Sequence, residues 1–558
     1  MNTDKKQCRI LASSLFSLGV EHAVISPGSR NAPLIMAFNR QQGMNCLSIA
    51  DERSAAFFAL GMAQQTRKPV VLICTSGTAV LNYSPAIAEA YYQHIPLIVI
   101  TADRPPEWID QQDGQAIRQR DIYHNYIKKS FSLPVEILTT EDSIHCEEIV
   151  AEAFRACIYP GFGPVHINVP LREPLYKQTQ EEFTPSGIKP ELFALPQLST
   201  VEIQEIVSLW NNSSKKMIIT GLLHPDDHLN SLINQIAERS DVVVLTETTS
   251  NLHGDNLHPC IDRIITAIDK PQEYKPDLLL SIGGPLISRK IKVFLREHKP
   301  LIHWNVSPEE PDVNAYLSLT RGFMLQPDYF LELLVKNTYE KQSGFAELYQ
   351  HLETSCAVKH TDFLSNTPFS DLKAFEILFG NIPENSIVQL GNSTPVRYAQ
   401  LFHSPEKTFH FSNRGTSGID GCCSTAAGAA YVSCQPNILI TGDIGFFYDS
   451  NFLWNNYLRK NLRIIIINNE GGGIFRFIDV PDSLNELDPY IETPHQLDAS
   501  KMAETYGIPY FTCADESGLK SVLTKFLQPS QSPVILEIKT PRMQNGRILR
   551  NYFENLKV

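Results

Sequence analysis

The chain reads as an α/β protein of three doubly wound parallel sheets, and three observations point there. Short apolar runs bounded by turn residues recur along its 558 residues, as expected of strands buried on both faces. Helical patterns such as Ser54 to Gln64 lie between them, the βαβ alternation of a parallel sheet. Two polar connections divide the runs into blocks at residues 1–183, 200–335 and 371–558.

In the first block the expected strands are Ala23–Ile25, Cys46–Ile49, Val70–Cys74, Pro96–Ile100 and Val165–Val169. From Thr184 to Ser199 the chain is aperiodic and carries Pro185, Pro190 and Pro196, which marks a linker. The second block offers Met217–Thr220, Val242–Leu245, Leu278–Ile282 and Leu301–Trp304. Lys336 to Ser370 is polar and mostly helical by pattern, a second connection. The third block offers Ser386–Gln389, Thr408–Phe411, Ile438–Thr441, Ile464–Ile467 and Val534–Ile538. Three α/β blocks of comparable size suggest an ancient triplication, and no short-period repeat is present.

A hydrophobic content of 43% supports sizeable cores, and a net charge of −13 argues against a general nucleic-acid surface. The eleven cysteines form no CxxC pair, as reduced cytosolic thiols would. Met1 to Val20 carries Asp4, Lys5, Lys6 and Arg9 and lacks a cleavage pattern. No run reaches the length of a membrane span. The expectation is a soluble cytoplasmic protein.

Asp443 follows the strand Ile438–Thr441 through Gly442, and Asn469 comes 26 residues after Asp443, beyond the strand Ile464–Ile467. In open α/β sheets ligands bind beyond the carboxyl ends of strands. Asp443 alone also fits an Asx turn with a capping aspartate. Together with Asn469 and the triplet Gly471, Gly472 and Gly473 it offers a carboxylate, an amide oxygen and a loop carbonyl. These are hard donors suited to Mg²⁺ on a diphosphate. The spacing resembles the GDG…NN signature of thiamine-diphosphate enzymes, with Ile444 where glycine usually follows the aspartate.

Glu52 opens an apolar helix just past a short strand, where the helix dipole favours an acid. Arg30, Arg104, Arg397 and Arg414 all fall at expected carboxyl ends of strands. Each alone fits a solvated surface ion pair. Collected on the ligand side of an acidic protein, they suit polyanionic substrates, because arginine forks bind carboxylates in bidentate fashion. His166 reads as a packed core histidine, and His253, His258 and His303 have no metal spacing. No GxSxG elbow or Walker loop is present.

Longer stretches carry a more specific likeness. Ser26 to Pro33 (SPGSRNAP), Thr101 to Pro106 (TADRPP), Gln115 to Gln119 (QAIRQ), Gly163 to Pro174, Ser412 to Gly421 (SNRGTSGIDG) and Asn468 to Phe475 resemble one family. It is the 2-succinyl-5-enolpyruvyl-6-hydroxy-3-cyclohexene-1-carboxylate (SEPHCHC) synthases of menaquinone biosynthesis, thiamine-diphosphate transferases. The likeness covers all three blocks. It implies the thiamine-diphosphate enzyme fold: a pyrimidine-binding domain at 1–183, a transhydrogenase-like central domain at 200–335 and a diphosphate-binding domain at 371–558. It implies decarboxylation of 2-oxoglutarate and conjugate addition of the remaining succinyl carbanion equivalent to isochorismate.

Residue by residue, the resemblance makes Glu52 the acid that activates the cofactor and places Gln115 near the reacting carbon. Ile419 would prop the cofactor in its bent form. Asp443, Asn469 and the Gly471 carbonyl would hold Mg²⁺ or Mn²⁺. Ser29, Arg30, Arg104, Ser393, Arg397 and Arg414 would bind substrate carboxylates and hydroxyls, and Ile474 and Phe475 would line the isochorismate pocket. Arg289 and Lys290 match a Lys-Arg pair of some relatives in swapped order, which leaves open which one reaches substrate. Ile478 falls where the lining residue varies. The resemblance also implies a homodimer or dimer of dimers, with no nucleic-acid or membrane partner. The alternatives are another thiamine-diphosphate 2-oxo acid decarboxylase or an acetolactate-synthase-like carboligase. From other classes come a non-catalytic scaffold and a dinucleotide-binding oxidoreductase, whose GxGxxG turn is missing.

Overall fold

The apolar runs form three six-stranded sheets in a computed structural model that describes residues 1–191, 196–477 and 484–557. Ile478 lies outside the described residues. In spatial order the first sheet is Asn45–Ser48, His22–Ile25, Val70–Cys74, Leu97–Asp103, Val165–Pro170 and Ser130–Ser132, each adjacent pair parallel. The second is Leu257–His258, Val242–Leu245, Lys216–Thr220, Leu278–Ile282, Ile302–Val306 and Arg321–Phe323, again parallel throughout. The third is Phe409–Phe411, Ile387–Leu390, Asn437–Gly442, Leu462–Asn468, Val534–Lys539 and Tyr510–Cys513. Central strands are the apolar ones: all five residues of Val70–Cys74 are buried, and Ile464 to Ile467 face Ile535 to Ile538 in register. Double-sided burial explains why they read as continuous runs rather than alternating ones.

Numbered within each sheet, the first and third sheets share the order 2-1-3-4-6-5, and the second runs 3-2-1-4-5-6. The expected triplication is corrected accordingly. The outer two sheets are wired alike, and the middle one shares only the layer architecture. The polar stretch after Lys336 forms the helix Phe345–Ser365, as its pattern suggests.

The chain divides into two compact units. One holds the chain from Met1 into the proline-rich linker plus residues 415–434 and 447–462; the other holds the rest. Within the first unit, helix Glu52–Thr66 packs against helix Cys422–Val432, which the C-terminal part of the sequence supplies. Glycines set their separation. A Cβ on Gly61 would stand 2.0 Å from the Thr425 carbonyl oxygen, and one on Gly428 would stand 2.0 Å from that of Phe58. Backbone cannot retreat as a flexible side chain can. Gly428→Ala is therefore expected to destabilise the protein by about 1–3 kcal/mol or more, read as a lowered melting temperature; an unchanged value would show that the helices are free to separate.

Candidate active site

Strand Asn437–Gly442 stops at its glycine, and Asp443 opens the next helix, Asp443–Tyr448, at once. Asn469 is the first residue beyond the neighbouring strand, Leu462–Asn468. Adjacent strand ends thus bring both side chains to the carboxyl edge of the sheet. Both are buried, Asp443 at 2% exposure and Asn469 at 3%. The Gly471 N–H donates to Oδ2 of Asp443 at 3.0 Å, which draws the glycine loop onto the carboxylate. His495 Nε2 stands 3.3 Å from the same oxygen, and this contact with Asp443 pushes the imidazole pKa up.

This donor set fits the diphosphate-bound cation that the resemblance implies. One carboxylate with amide and carbonyl oxygens leaves most coordination positions to phosphate and water, as Mg²⁺ prefers. Among the described residues no group of three or more His, Cys, Asp or Glu side chains forms an all-protein cage.

The same unit carries the candidate basic residues Arg289, Lys290, Arg397 and Arg414. Ser393 has φ +74° and precedes helix Thr394–Ala399, and Arg397 bonds back to the Ser393 carbonyl at 2.5 Å. Arg414, 8% exposed, donates to Oδ1 of Asn392 at 3.0 Å. Burial, then the charges of Arg414 and Arg289, push Arg397 down to about 10 against the opposing pull of Asp262. Like charges gathered this way oppose one another until an anion joins them. Arg289, Lys290 and Arg397 line one cavity of about 590 Å³, which Phe477, Arg550 and Phe553 also line. Lys290 rests its ammonium 3.8 Å from the centre of the Phe553 ring, whereas Arg289 is exposed at the start of helix Arg289–Glu297. Ile474 and Phe475 are half-buried in the turn Gly473–Arg476 and are not among the residues lining that cavity.

The first unit carries the other candidates. Asp51 caps helix Glu52–Thr66 by accepting the Ser54 N–H at 2.9 Å, so Glu52 sits half-buried at the positive end of the helix. Burial, then the charge of Glu52, push the thiol of Cys74 well above its ordinary value. Arg30 is no solvated loop arginine. It is buried, and donates to the Leu171 carbonyl at 3.0 Å and to Glu173 at 3.2 Å. Burial, then Arg104, lower its pKa. Arg104 pairs with Asp113 and donates to the Gly114 carbonyl, while Ser29 and Gln115 are exposed and Ile419 is half-buried.

Gln115 has φ +57°, and a Cβ on Gly77 would lie 3.2 Å from its Cα. Sequence reasoning missed the residue that ties this loop down. Gln119 accepts the Gly77 N–H at 3.2 Å and donates to the Ala102 carbonyl at 3.0 Å and to Asn168 at 3.1 Å. Its only signal was its place in the quoted Gln115–Gln119 stretch. Asp371, which accepts from Asn469 Nδ2 at 2.9 Å, and His495 were also missed and carry no signal, since each meets its partner only in the folded chain. His166 is a core histidine as expected: it bonds Thr101 at 2.7 Å, and burial holds it down at about 3, neutral.

The chain matches two family models, "Thiamine pyrophosphate enzyme, N-terminal TPP binding domain" over residues 6–123 and "Thiamine pyrophosphate enzyme, C-terminal TPP binding domain" over residues 391–538. Both lie where the candidate residues cluster. Among curated proteins it is 42% identical to the 2-succinyl-5-enolpyruvyl-6-hydroxy-3-cyclohexene-1-carboxylate synthase of Flavobacterium johnsoniae, over 98% of this chain and 99% of that one. It is 42% identical to the protein of the same name from Flavobacterium psychrophilum, over 98% of each chain. For the Porphyromonas gingivalis protein the identity is 38%, over 99% of this chain and 97% of that one.

Proposed function

The chain belongs to the SEPHCHC synthases, thiamine-diphosphate enzymes of menaquinone biosynthesis, and from that premise we propose that it joins 2-oxoglutarate, less CO₂, to isochorismate. The observation that carries the substrate reading is the gathering of Arg289, Lys290 and Arg397 on one cavity in the unit that also holds Asp443 and Asn469. Both proposed substrates are dicarboxylates, and guanidinium forks suit them.

Bound thiamine diphosphate supplies the electron sink that lets a 2-oxo acid lose CO₂ and react as an acyl nucleophile. Asp443, Asn469 and the Gly471 carbonyl would hold Mg²⁺ or Mn²⁺ at the diphosphate end. Glu52 would hold a proton at N1′ of the aminopyrimidine, Ile419 would support the cofactor and Gln115 would lie near the reacting carbon. Arg30, Arg104, Arg397, Arg414, Ser29 and Ser393 bind substrate oxygens, and Ile474 and Phe475 wall the isochorismate side. Of the Arg289–Lys290 pair we assign the anion to Arg289, because the Lys290 ammonium already lies against Phe553. We further propose the division into pyrimidine-binding, central and diphosphate-binding domains at 1–183, 200–335 and 371–558. The working form is a homodimer or dimer of dimers in the cytoplasm. No described helix is long and apolar enough to cross a membrane.

Pure protein with thiamine diphosphate, Mg²⁺, 2-oxoglutarate and isochorismate is expected to consume isochorismate, and omission of any one component stops it. Equal turnover with pyruvate in place of 2-oxoglutarate would refute the substrate assignment and leave the thiamine chemistry standing.

Arg397→Ala separates binding from stability. Losing a charge-assisted bond is expected to raise the KM for a dicarboxylate roughly 10- to 100-fold, with a smaller change in kcat. Removing one of the clustered positive charges should leave the melting temperature equal or higher. A lowered melting temperature with unchanged KM would make Arg397 a structural residue.

A further inference from the structure

We propose that Asp371 is the positioning residue of the cation site: it turns the amide of Asn469 so that Oδ1, and not the NH₂ group, faces the metal. The inference rests on the reading of Asn469 as a ligand given above.

An asparagine amide has two ends of nearly equal shape and opposite hydrogen-bonding character. A half-turn about its last bond would present N–H groups to a cation. Asn469 is buried, so bulk water does not hold its orientation. Asp371 does: its Oδ2 accepts from Asn469 Nδ2 at 2.9 Å. An ionised carboxylate only accepts, so it binds the NH₂ end and rejects the oxygen end.

Asp371 is itself held. It is 1% exposed. Its Oδ1 accepts from Thr540 Oγ1 at 2.6 Å and from Asn545 Nδ2 at 3.0 Å, and its backbone N–H donates to Asn545 Oδ1 at 2.9 Å. Asn545 also donates to Thr540 Oγ1 at 3.2 Å. Strand ends and helices from distant parts of the third block thus converge on one carboxylate. As the first residue of helix Asp371–Phe379 it has a simpler reading, an acid complementing the helix dipole. The geometry points past that. Ser370 caps this helix, and the Asp371 carboxylate reaches instead to side chains far along the chain.

Among the described residues Asp371 bonds to the neutral groups of Asn469, Thr540 and Asn545, and burying a carboxylate among neutral donors is costly. Its bond from Asn469 is what ties this buried acid to the site. Partners of this kind are what orient metal ligands elsewhere, and losing one costs roughly 10- to 100-fold in metal affinity.

The test is Mn²⁺ binding to the full chain with thiamine diphosphate present, followed by electron paramagnetic resonance up to millimolar metal. It compares Asp371→Leu, Asp371→Asn, Asn469→Ala and the double variant Asp371→Leu/Asn469→Ala. Asp371→Leu is expected to weaken Mn²⁺ binding roughly 10- to 100-fold. Asp371→Asn, whose carbonyl can still accept from Asn469, should lose less. Asn469→Ala should lose at least as much as Asp371→Leu, and adding Asp371→Leu to it should change nothing further. Equal losses from Asp371→Leu in the native and Asn469→Ala backgrounds would overturn the proposal, because the residue would then act by some route other than Asn469. Unchanged affinity in Asp371→Leu would overturn it as well. If the leucine variant does not fold, Asp371→Asn in both backgrounds decides by the same comparison. Native affinity in Asn469→Ala would instead refute the cation-site reading beneath the proposal, and the proposal with it.

Discussion

Glu52→Gln is expected to lower turnover roughly 100- to 10,000-fold, the range for removing a positioned acid–base group, while the protein still folds and binds its cofactor. Glutamine keeps the shape of the side chain and can still hydrogen-bond, but it cannot take up and return a proton. The local structure supports a clean loss. Asp51, and not Glu52, caps the helix, so helix Glu52–Thr66 keeps its start. The neighbouring Arg53 is held independently, by the Tyr448 carbonyl at 2.8 Å and the face of the same tyrosine ring. Turnover and thermal melting measured side by side check this. A variant that melts early would mean that Glu52 supports the fold, and one with native turnover would remove Glu52 from the catalytic machinery.

Asp443→Ala is expected to weaken thiamine-diphosphate binding by more than about 100-fold in Mg²⁺, since it removes a first ligand where losing even a supporting group costs roughly 10- to 100-fold. The loss should vanish in chelator, where both proteins bind weakly. Two contacts go at once: the carboxylate's share of the cation and its bond from the Gly471 N–H. Asp443→Asn keeps one oxygen to serve both contacts and should fall between the native protein and the alanine variant. Calorimetric titration of cofactor with and without metal measures this. A metal-independent loss would show that Asp443 serves the loop and not the cation.

Much of this protein was legible beforehand, for physical reasons. Ile464 to Ile467 could be read as a strand because it is buried on both sides, and it lies inside Leu462–Asn468. Asp443, Asn469 and Arg104 could be placed because each immediately follows such a strand. The edge strands Ser130–Ser132, Arg321–Phe323 and Tyr510–Cys513 were not legible. At three or four residues they have no periodicity to read, and pairing with a neighbour defines them. Strand order was not legible either, which is how the middle sheet was first grouped with its neighbours. In the site, charge and residue type announced the arginines, but nothing local announced Asp371 or His495, and Gln119 showed only as the end of a quoted stretch. Ser370–Asp371 looks like any helix start, and its meaning comes from Asn469, 98 residues on. Residues that touch ligand advertise their chemistry, whereas those that orient them show only their contacts.

Product analysis tests the central claim most directly. The chain is incubated with thiamine diphosphate, Mg²⁺, 2-oxoglutarate and isochorismate, and CO₂ and product mass are followed together. The prediction is one CO₂ released per isochorismate consumed, and a single product with the mass of both acids less CO₂. Release of CO₂ with isochorismate untouched, or a product built from two 2-oxo acids, would contradict it.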